Sequence, residues 1–440
     1  MSYWVLEYIK VLLAYLLVMY LWPTVVFKKH LSGKTRTYRF AFCSVFTVLL
    51  INTVVIALGL IHVLKNWLVF ILFYGIFFVQ FFRGYQLPQE AKDHFRYVIQ
   101  GTMKPKSYFL DVVHRSSSFL GKHIRRFWKS LEGIKLELLF LGIIVINGMI
   151  FFDAASLITP SFGFSDLYVH HSWVYGLRIG RIFYRGIYPE AMHCFMYLLS
   201  VVFPIRTYSI LVYLGPVHIM TILVSIYLFF KEIFRWRYSA HIALLLMLIC
   251  NATSTNMVVS YARMQASLPQ EFAMGGQMLI PVGLLRYLKN TKRLKVDGKQ
   301  STFFFDDNLI IFVFSLAETI VVHFYGTGMA FYLCVPIALI YLRRTLNPRR
   351  FFPLVASVLA AVFISVFPMV LAFLEGIPLQ GSIGWGLKVI QGNASIIPSS
   401  GTLSGLRIIL EQSTASMIGA FRGLGGQISY SFKTFTDWIR

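Results

Sequence analysis

Apolar residues in this chain come in long unbroken runs, not at the three-to-four spacing of a surface helix. Runs cover 4–27, 40–63, 67–82 and 136–152 in the first part of the chain, then 207–230, 241–250, 275–288, 303–325, 329–342 and 352–374. A helix that spans a bilayer needs about 20 mostly apolar residues. Lipid offers no partner for a free N–H or C=O, so helices are the expected solution, and the alternating pattern of a membrane barrel is absent. The pattern therefore predicts an all-α, polytopic transmembrane helix bundle of about 9–11 spans. The run 191–203 is too short for a comfortable span and reads as interfacial, re-entrant or part of a tilted helix.

The polar stretches between these runs suggest an orientation. Lys and Arg concentrate at 28–39, 83–135, 231–237, 286–299 and 343–350, and basic loops mark the cytoplasmic side. Residues 153–190, 256–274 and the tail then fall on the outer face, provided that 191–203 does not complete a crossing. The long basic stretch 83–135 interleaves Phe109, Phe119, Phe127 and Trp128 with its charges, as expected for amphipathic helix lying on the membrane. Three parts follow: N-terminal transmembrane helices with a basic cytoplasmic segment (1–132), a transmembrane core with outer loops (133–375), and an outer amphipathic tail (376–440).

Composition agrees with this reading. Hydrophobic residues make up 57% of the chain and charged residues 13%, about half the charge of an average soluble domain. The net charge of +23 would suggest nucleic acid in a soluble protein, but no nucleic-acid module is present. Basic loops held against anionic headgroups explain it better, and no nucleic-acid partner is expected. Cys43, Cys194, Cys250 and Cys334 lie in apolar runs without metal-ligand spacing and read as small core residues. The first apolar run starts near Met1 and is too long for a signal-peptide core. No internal repeat of the transporter kind is visible.

Three outer segments hold residues suited to chemistry. In Asp166-Leu-Tyr-Val-His170-His171-Ser-Trp173, a helix would put Asp166 and His170 on one face. A carboxylate beside a histidine suits a base, a ligand pair or an ion pair; the plainer alternative is an Asp cap with Trp173 and Tyr175 as belt aromatics. Gly186-Ile-Tyr188-Pro189-Glu190-Ala-Met-His193 closes the same outer segment. Between these two segments, Arg178, Arg181 and Arg185 sit on an apolar background that suits a helix lying in the membrane surface and holding phosphate. In Tyr261-Ala-Arg263 through Gln270-Glu271, an Arg and a Glu suit a phosphate clamp and a sugar contact, or an ordinary interfacial pair.

Together these segments resemble the GT-C superfamily of multi-pass glycosyltransferases that use polyprenyl-phosphate sugars. In that family a transmembrane helix leads into a large first outer loop with an early acidic residue, which Asp166 resembles. In-plane helices follow, and a Gly-x-Tyr-x-acid segment leads to the next helix, as in Tyr188-Pro189-Glu190. The next outer loop carries an Arg segment, which Tyr261-Ala-Arg263 resembles. The likeness covers roughly 135–350; this chain has no adjacent Asp-x-Asp pair.

The resemblance implies an inverting transfer at the extracytoplasmic face of the cell membrane, from a polyprenyl-phosphate sugar donor to a glycan, lipid or protein acceptor. Asp166 and Glu190 would be catalytic, with Asp166 as the base. Arg263, Arg178 and Arg181 would neutralise the donor phosphate. His170, His171, Tyr188, His193 and Glu271 would bind substrate. Asp166 and Glu190 would also be the candidate ligands of a divalent cation such as Mg or Mn. No Walker, Rossmann or nucleophile-elbow motif competes with this reading. The rival readings are a flippase or transporter of lipid-linked saccharides, for which Glu318, His323 and His218 would be the intramembrane groups, a surface-glycan polymerase or ligase, and a non-catalytic scaffold.

Overall fold

A computed structural model describes residues 3–84, 89–101, 132–158, 160, 166–253, 261–290 and 305–381, with a few positions within 104–121 and 295–300. The tail beyond 381, with Gly384 and Trp385, lies outside the described residues, as does most of the basic stretch 85–131. The described chain is helical apart from a hairpin pairing Lys295–Val296 with Lys299–Gln300. The principal helices are α1 (Tyr3–Val26), α2 (Arg36–Leu60), α3 (Asn66–Gly84), α4 (Lys135–Ile158), α5 (Asp166–Arg178), α6 (Ala191–Val202), α7 (Thr207–Ile233), α8 (Ser239–Thr253), α9 (Met274–Lys289), α10 (Asp307–Val322), α11 (Phe324–Ile340) and α12 (Pro348–Leu374). Among the described residues, five helices are long and apolar enough to cross a membrane: α1, α2, α4, α7 and α12.

Burial sorts these five. In α7, 83% of the apolar window is buried, against 22% in α12. Helix α7 is the central pillar, packed against α1, α4, α6, α8 and α9. Helix α12 turns Leu359, Phe363 and Phe367 outward, which is stable only where the surroundings are apolar. Glycines allow the closest helix contact. Gly276 and Gly283 lie seven apart on α9, and a Cβ on either would collide with α10, at Glu318 and at the Phe312 backbone. Small residues of this kind let helices approach closely in membrane bundles.

Charge sorts the two ends of the bundle. At one end Lys34 pairs with Asp307 (2.6 Å), Arg286 with Glu232 (2.6 Å), and Lys231 and Arg237 with Glu137 (2.7 and 2.8 Å). Arg350 donates to the Tyr287 carbonyl there (2.6 Å). The opposite end gathers the start of α1, the α2–α3 turn, Pro160, residues 166–190, the start of α7, residues 261–272 and the end of α12. Its contacts include Ser209 to Glu7 (2.6 Å) and Ile187 N–H to the Pro378 carbonyl (2.8 Å). Helix α6 starts and returns at this end: Arg178, at the close of α5, donates to Thr207 at the start of α7 (3.2 Å). With 12 residues, α6 is only about 18 Å long and does not cross the bundle.

Three sequence expectations are corrected. The run 303–325 is not one helix; α10 ends at Val322, and His323 is extended and caps α11 by accepting the Tyr325 N–H (3.2 Å). The polar segment does not begin at 153, because α4 continues to Ile158 while Asp153 accepts the Tyr8 hydroxyl. Arg178, Arg181 and Arg185 do not share an in-plane helix. Helix α5 stops at Arg178, Gly180 adopts φ +82° and Phe183 φ +48°, and the chain turns back; a left-handed glycine just past the last turn ends helices in this way.

A backbone contact fixes one outer loop. Gly215 on α7 donates its N–H to Ser267 Oγ (2.7 Å), and a Cβ on Gly215 would lie 2.4 Å from the Ala266 carbonyl oxygen. Gly215→Ala is therefore expected to cost about 1–3 kcal/mol by overpacking and to displace loop 263–272. Gly75→Ala, in helix α3 with nothing within 4 Å, is expected to be neutral or stabilising by up to about 1 kcal/mol. Thermal unfolding of the purified protein in detergent compares the two; equal midpoints would contradict the contact.

Candidate active site

Helix α5 begins at Asp166, so the i, i+4 relation with His170 is realised. Asp166 is exposed in the first turn, where the N-terminal dipole favours a negative charge. His170 turns inward, and its Nδ1 lies 3.0 Å from Nε2 of His193 on α6. One ring donates and the other accepts, so the pair holds a proton between them. Burial pushes His170 down to about 4, with the Asp166 charge acting against that and the His323 charge reinforcing it. The pair is thus built from neutral rings.

Aromatic rings close the site from one side. Trp173, one turn after His170, stands edge-on to His193 at 4.5 Å and meets the Tyr188 ring at 5.1 Å. Tyr188 in turn faces His323 at 6.0 Å and Phe324 at 6.4 Å. Burial raises the Tyr188 hydroxyl to about 12. His323 is pushed down to about 4 by burial and then by the Arg263 charge. The Arg263 charge felt at His323 couples this ring cluster to the third segment.

That third segment is a pair of one-turn helices, Tyr261–Met264 and Pro269–Phe272. Arg263 Nε donates to Glu271 Oε1 (2.6 Å), and its terminal nitrogen to Glu271 Oε2 (3.2 Å) and Gln270 (3.1 Å). Burial raises the Glu271 carboxyl, and Arg263 opposes that shift. The two-point grip fixes the plane of the guanidinium and neutralises much of its charge. Beneath, His218 Nε2 pairs with the Phe272 carbonyl (3.0 Å) and its ring stacks on Phe272 (4.1 Å). A carbonyl only accepts, so Nε2 is the donor, and a neutral ring then accepts the Tyr15 hydroxyl at Nδ1 (2.8 Å).

The structure therefore gathers Asp166, His170, His193, Tyr188, Arg263 and Glu271 at one end of the bundle. His171 is exposed on the adjoining face of α5. Arg178 and Arg181 lie elsewhere: α5 has 13 residues, which puts its last residue about 18 Å from Asp166 along the axis. Glu190 is buried and serves the backbone. Its Oε2 accepts the N–H of Phe183 (3.0 Å), the residue held at positive φ, and its Oε1 has no hydrogen bond among the described residues. Burial pushes this carboxyl up to about 8, with the Phe183 bond acting the other way. Among the described residues no three His, Cys, Asp or Glu side chains gather as a metal ion needs, and one Glu190 oxygen is already committed to the Phe183 N–H.

Sequence reasoning gave His323 an intramembrane role rather than a place beside Tyr188, and missed Trp173 as a wall and the Gly215–Ser267 and His218–Phe272 clamps. The available signal was His323 inside an apolar run, which a helix break explains as well as an intramembrane role does. No family model, curated protein or solved structure matches this chain.

Glu190 offers a direct test of the loop's construction. A carboxyl raised to about 8 in the fold, from about 4.5 when unfolded, keeps its proton longer in the folded state. Its contribution is complete below about pH 4.5 and is lost as pH rises through 8. Thermal midpoints measured from pH 5 to 9 should therefore fall less for Glu190→Gln, which keeps an acceptor for Phe183. Glu190→Ala should cost about 1–3 kcal/mol near pH 5 and less as pH rises through 8. Parallel pH profiles for the wild type and Glu190→Gln would contradict this assignment.

Proposed function

We propose that this protein is a membrane glycosyltransferase that moves a sugar from a polyprenyl-phosphate donor to a glycan, lipid or protein acceptor at the extracytoplasmic face. The observation that carries the proposal is the His170–His193 pair on the helix that Asp166 begins, the Tyr188–His323 ring contact, and the Arg263 charge felt at His323 from its grip on Glu271. This cluster occupies the end of the bundle opposite the basic loops. That is where a donor whose prenyl chain lies in the bilayer would present its sugar.

In the proposed reaction the acceptor hydroxyl attacks the anomeric carbon as the carbon–oxygen bond to the phosphate breaks. Asp166 takes the hydroxyl proton; it is the exposed carboxylate of the cluster, one helical turn before His170. Arg263 meets the negative charge that builds on the departing polyprenyl phosphate, with Glu271 holding its plane. Tyr188, half-buried, offers a ring to the sugar, with the buried Trp173 packed behind it. Inversion follows from a single displacement. No step is routed through a divalent cation.

Purified protein is to be incubated with labelled polyprenyl-phosphate sugars and a panel of acceptors. Asp166→Asn should lower turnover about 10²–10⁴-fold, the usual weight of a general base, with donor binding retained. Equal turnover by the variant would remove Asp166 from the mechanism.

One observation favours a second reading, the transport of a lipid-linked saccharide. Glu318 is buried in α10 against Gly276, and its Oε2 has no hydrogen bond among the described residues. Tyr15, Tyr20, Thr221 and His218 form a hydrogen-bonded chain in the same core. Ionisable groups buried in a membrane bundle often mark a transport path. On this reading Glu318→Gln abolishes lipid-saccharide translocation in vesicles while Asp166→Asn leaves it intact; translocation unchanged in Glu318→Gln rules the reading out.

A further inference from the structure

A cleft between α2 and α3 is lined wholly by apolar side chains. Val54 and Val69 stand at its upper end, Trp22 and Phe73 at its lower end, with Val18 and Leu198 behind, and its cavity volume is about 110 Å³, open on one side. Trp22 closes the floor by stacking on Phe73 at 5.5 Å and donating to its carbonyl (3.1 Å). From Val69 to Ile76, the lining residues of α3 run about 10 Å along the helix axis. A space this narrow, between neighbouring helices, matches a hydrocarbon chain; a helix of about 10 Å diameter does not fit.

Cations lie directly above it. The turn at 178–181 sits on the α2–α3 turn: Asn66 donates to the Arg178 carbonyl (3.3 Å), and a Cβ on Gly180 would stand 2.9 Å from the Leu64 carbonyl oxygen. Lys65, Arg178 and Arg181 are exposed there, and Val69 follows Asn66 by less than one helical turn. Trp67 (63% exposed) and Ile179 (47%) flank the cations, in the manner of residues at a headgroup layer. Glu375 is the carboxylate lining the neighbouring cavity with Arg181, alongside His62 and Arg185, which leaves the surface positive.

We infer that the α2–α3 cleft and the Lys65, Arg178 and Arg181 side chains above it bind one anionic phospholipid of the surrounding bilayer, at a site separate from the candidate active site. The phosphate lies among the three cations and one acyl chain descends past Val54 and Val69 to Trp22. A sugar donor does not fit this position, because Asp166 lies about 18 Å away at the other end of α5. The inference stands whether or not the protein transfers sugar.

The test is native mass spectrometry of the full-length protein released from vesicles of equal phosphatidylglycerol and phosphatidylcholine. The wild type should retain one phosphatidylglycerol in preference to phosphatidylcholine. The double variant R178Q/R181Q should lose that preference about tenfold or more, since each basic residue near a lipid surface contributes about 1 kcal/mol. Val54→Trp, at the cleft rim, should reduce retention of both lipids; Val54→Phe, with unchanged helical circular dichroism, replaces it if the larger ring impairs folding. Asp166→Asn should retain the lipid as the wild type does. Equal retention of the two lipids, an unchanged preference in the double variant, or displacement by a stoichiometric polyprenyl phosphate would overturn the inference.

Discussion

A polar group that enters an apolar bundle has to bring its partner with it, because neither lipid nor a packed core supplies one. Much of this protein's arrangement at the site end follows from that constraint. Phe183 sits in a left-handed conformation with a buried N–H, and the Glu190 carboxyl accepts it. The Gly215 N–H, next to Pro216 in α7, finds Ser267. The Phe272 carbonyl, dipping below the outer loop, finds His218, and His218 finds Tyr15. Each of these bonds joins an irregular segment to a helix that is itself fixed by packing.

The consequence is a site whose precision comes from beneath it. Arg263 and Glu271 grip one another, but the segment that carries them is clamped twice on α7, at Gly215 and at His218. His170 is aimed by a ring on the buried helix α6. The short α6 has a particular place in this scheme. It is enclosed by α2, α3, α5, α7 and α10, carries His193 in its first turn and returns to the same end of the bundle. A spanning helix in its place would have left the first outer loop without a floor.

The same end of the bundle holds two separate cationic features. Arg263 is paired with an acid and set among histidines. Arg178 and Arg181 are exposed over an apolar cleft, at the far end of α5. The sequence suggested a common role because all three arginines fall in outer loops, and the turn at Gly180 is what sets them apart. A phosphate group suits both places, yet the surroundings differ: a ring-walled polar cluster in one case, a hydrocarbon slot under a headgroup layer in the other.

The long apolar runs and the basic loops were enough to establish a helical bundle and to sort its segments between two ends, since backbone satisfaction and loop charge act locally along the chain. They also placed Asp166, His170 and Arg263 away from the basic loops. What no local pattern contained was which acid is exposed and which is committed to the backbone. Glu190 looked like a catalytic partner for Asp166 until the fold turned it under Phe183, and His323 looked intramembrane until α10 ended one residue before it. Those outcomes depend on contacts between segments more than a hundred residues apart in some cases, as with Tyr188 and His323. Sequence spacing carries no information about such long-range contacts, because the packing of distant helices decides them, and even the Glu190–Phe183 bond, seven residues apart, depends on the turn that the packed loop makes.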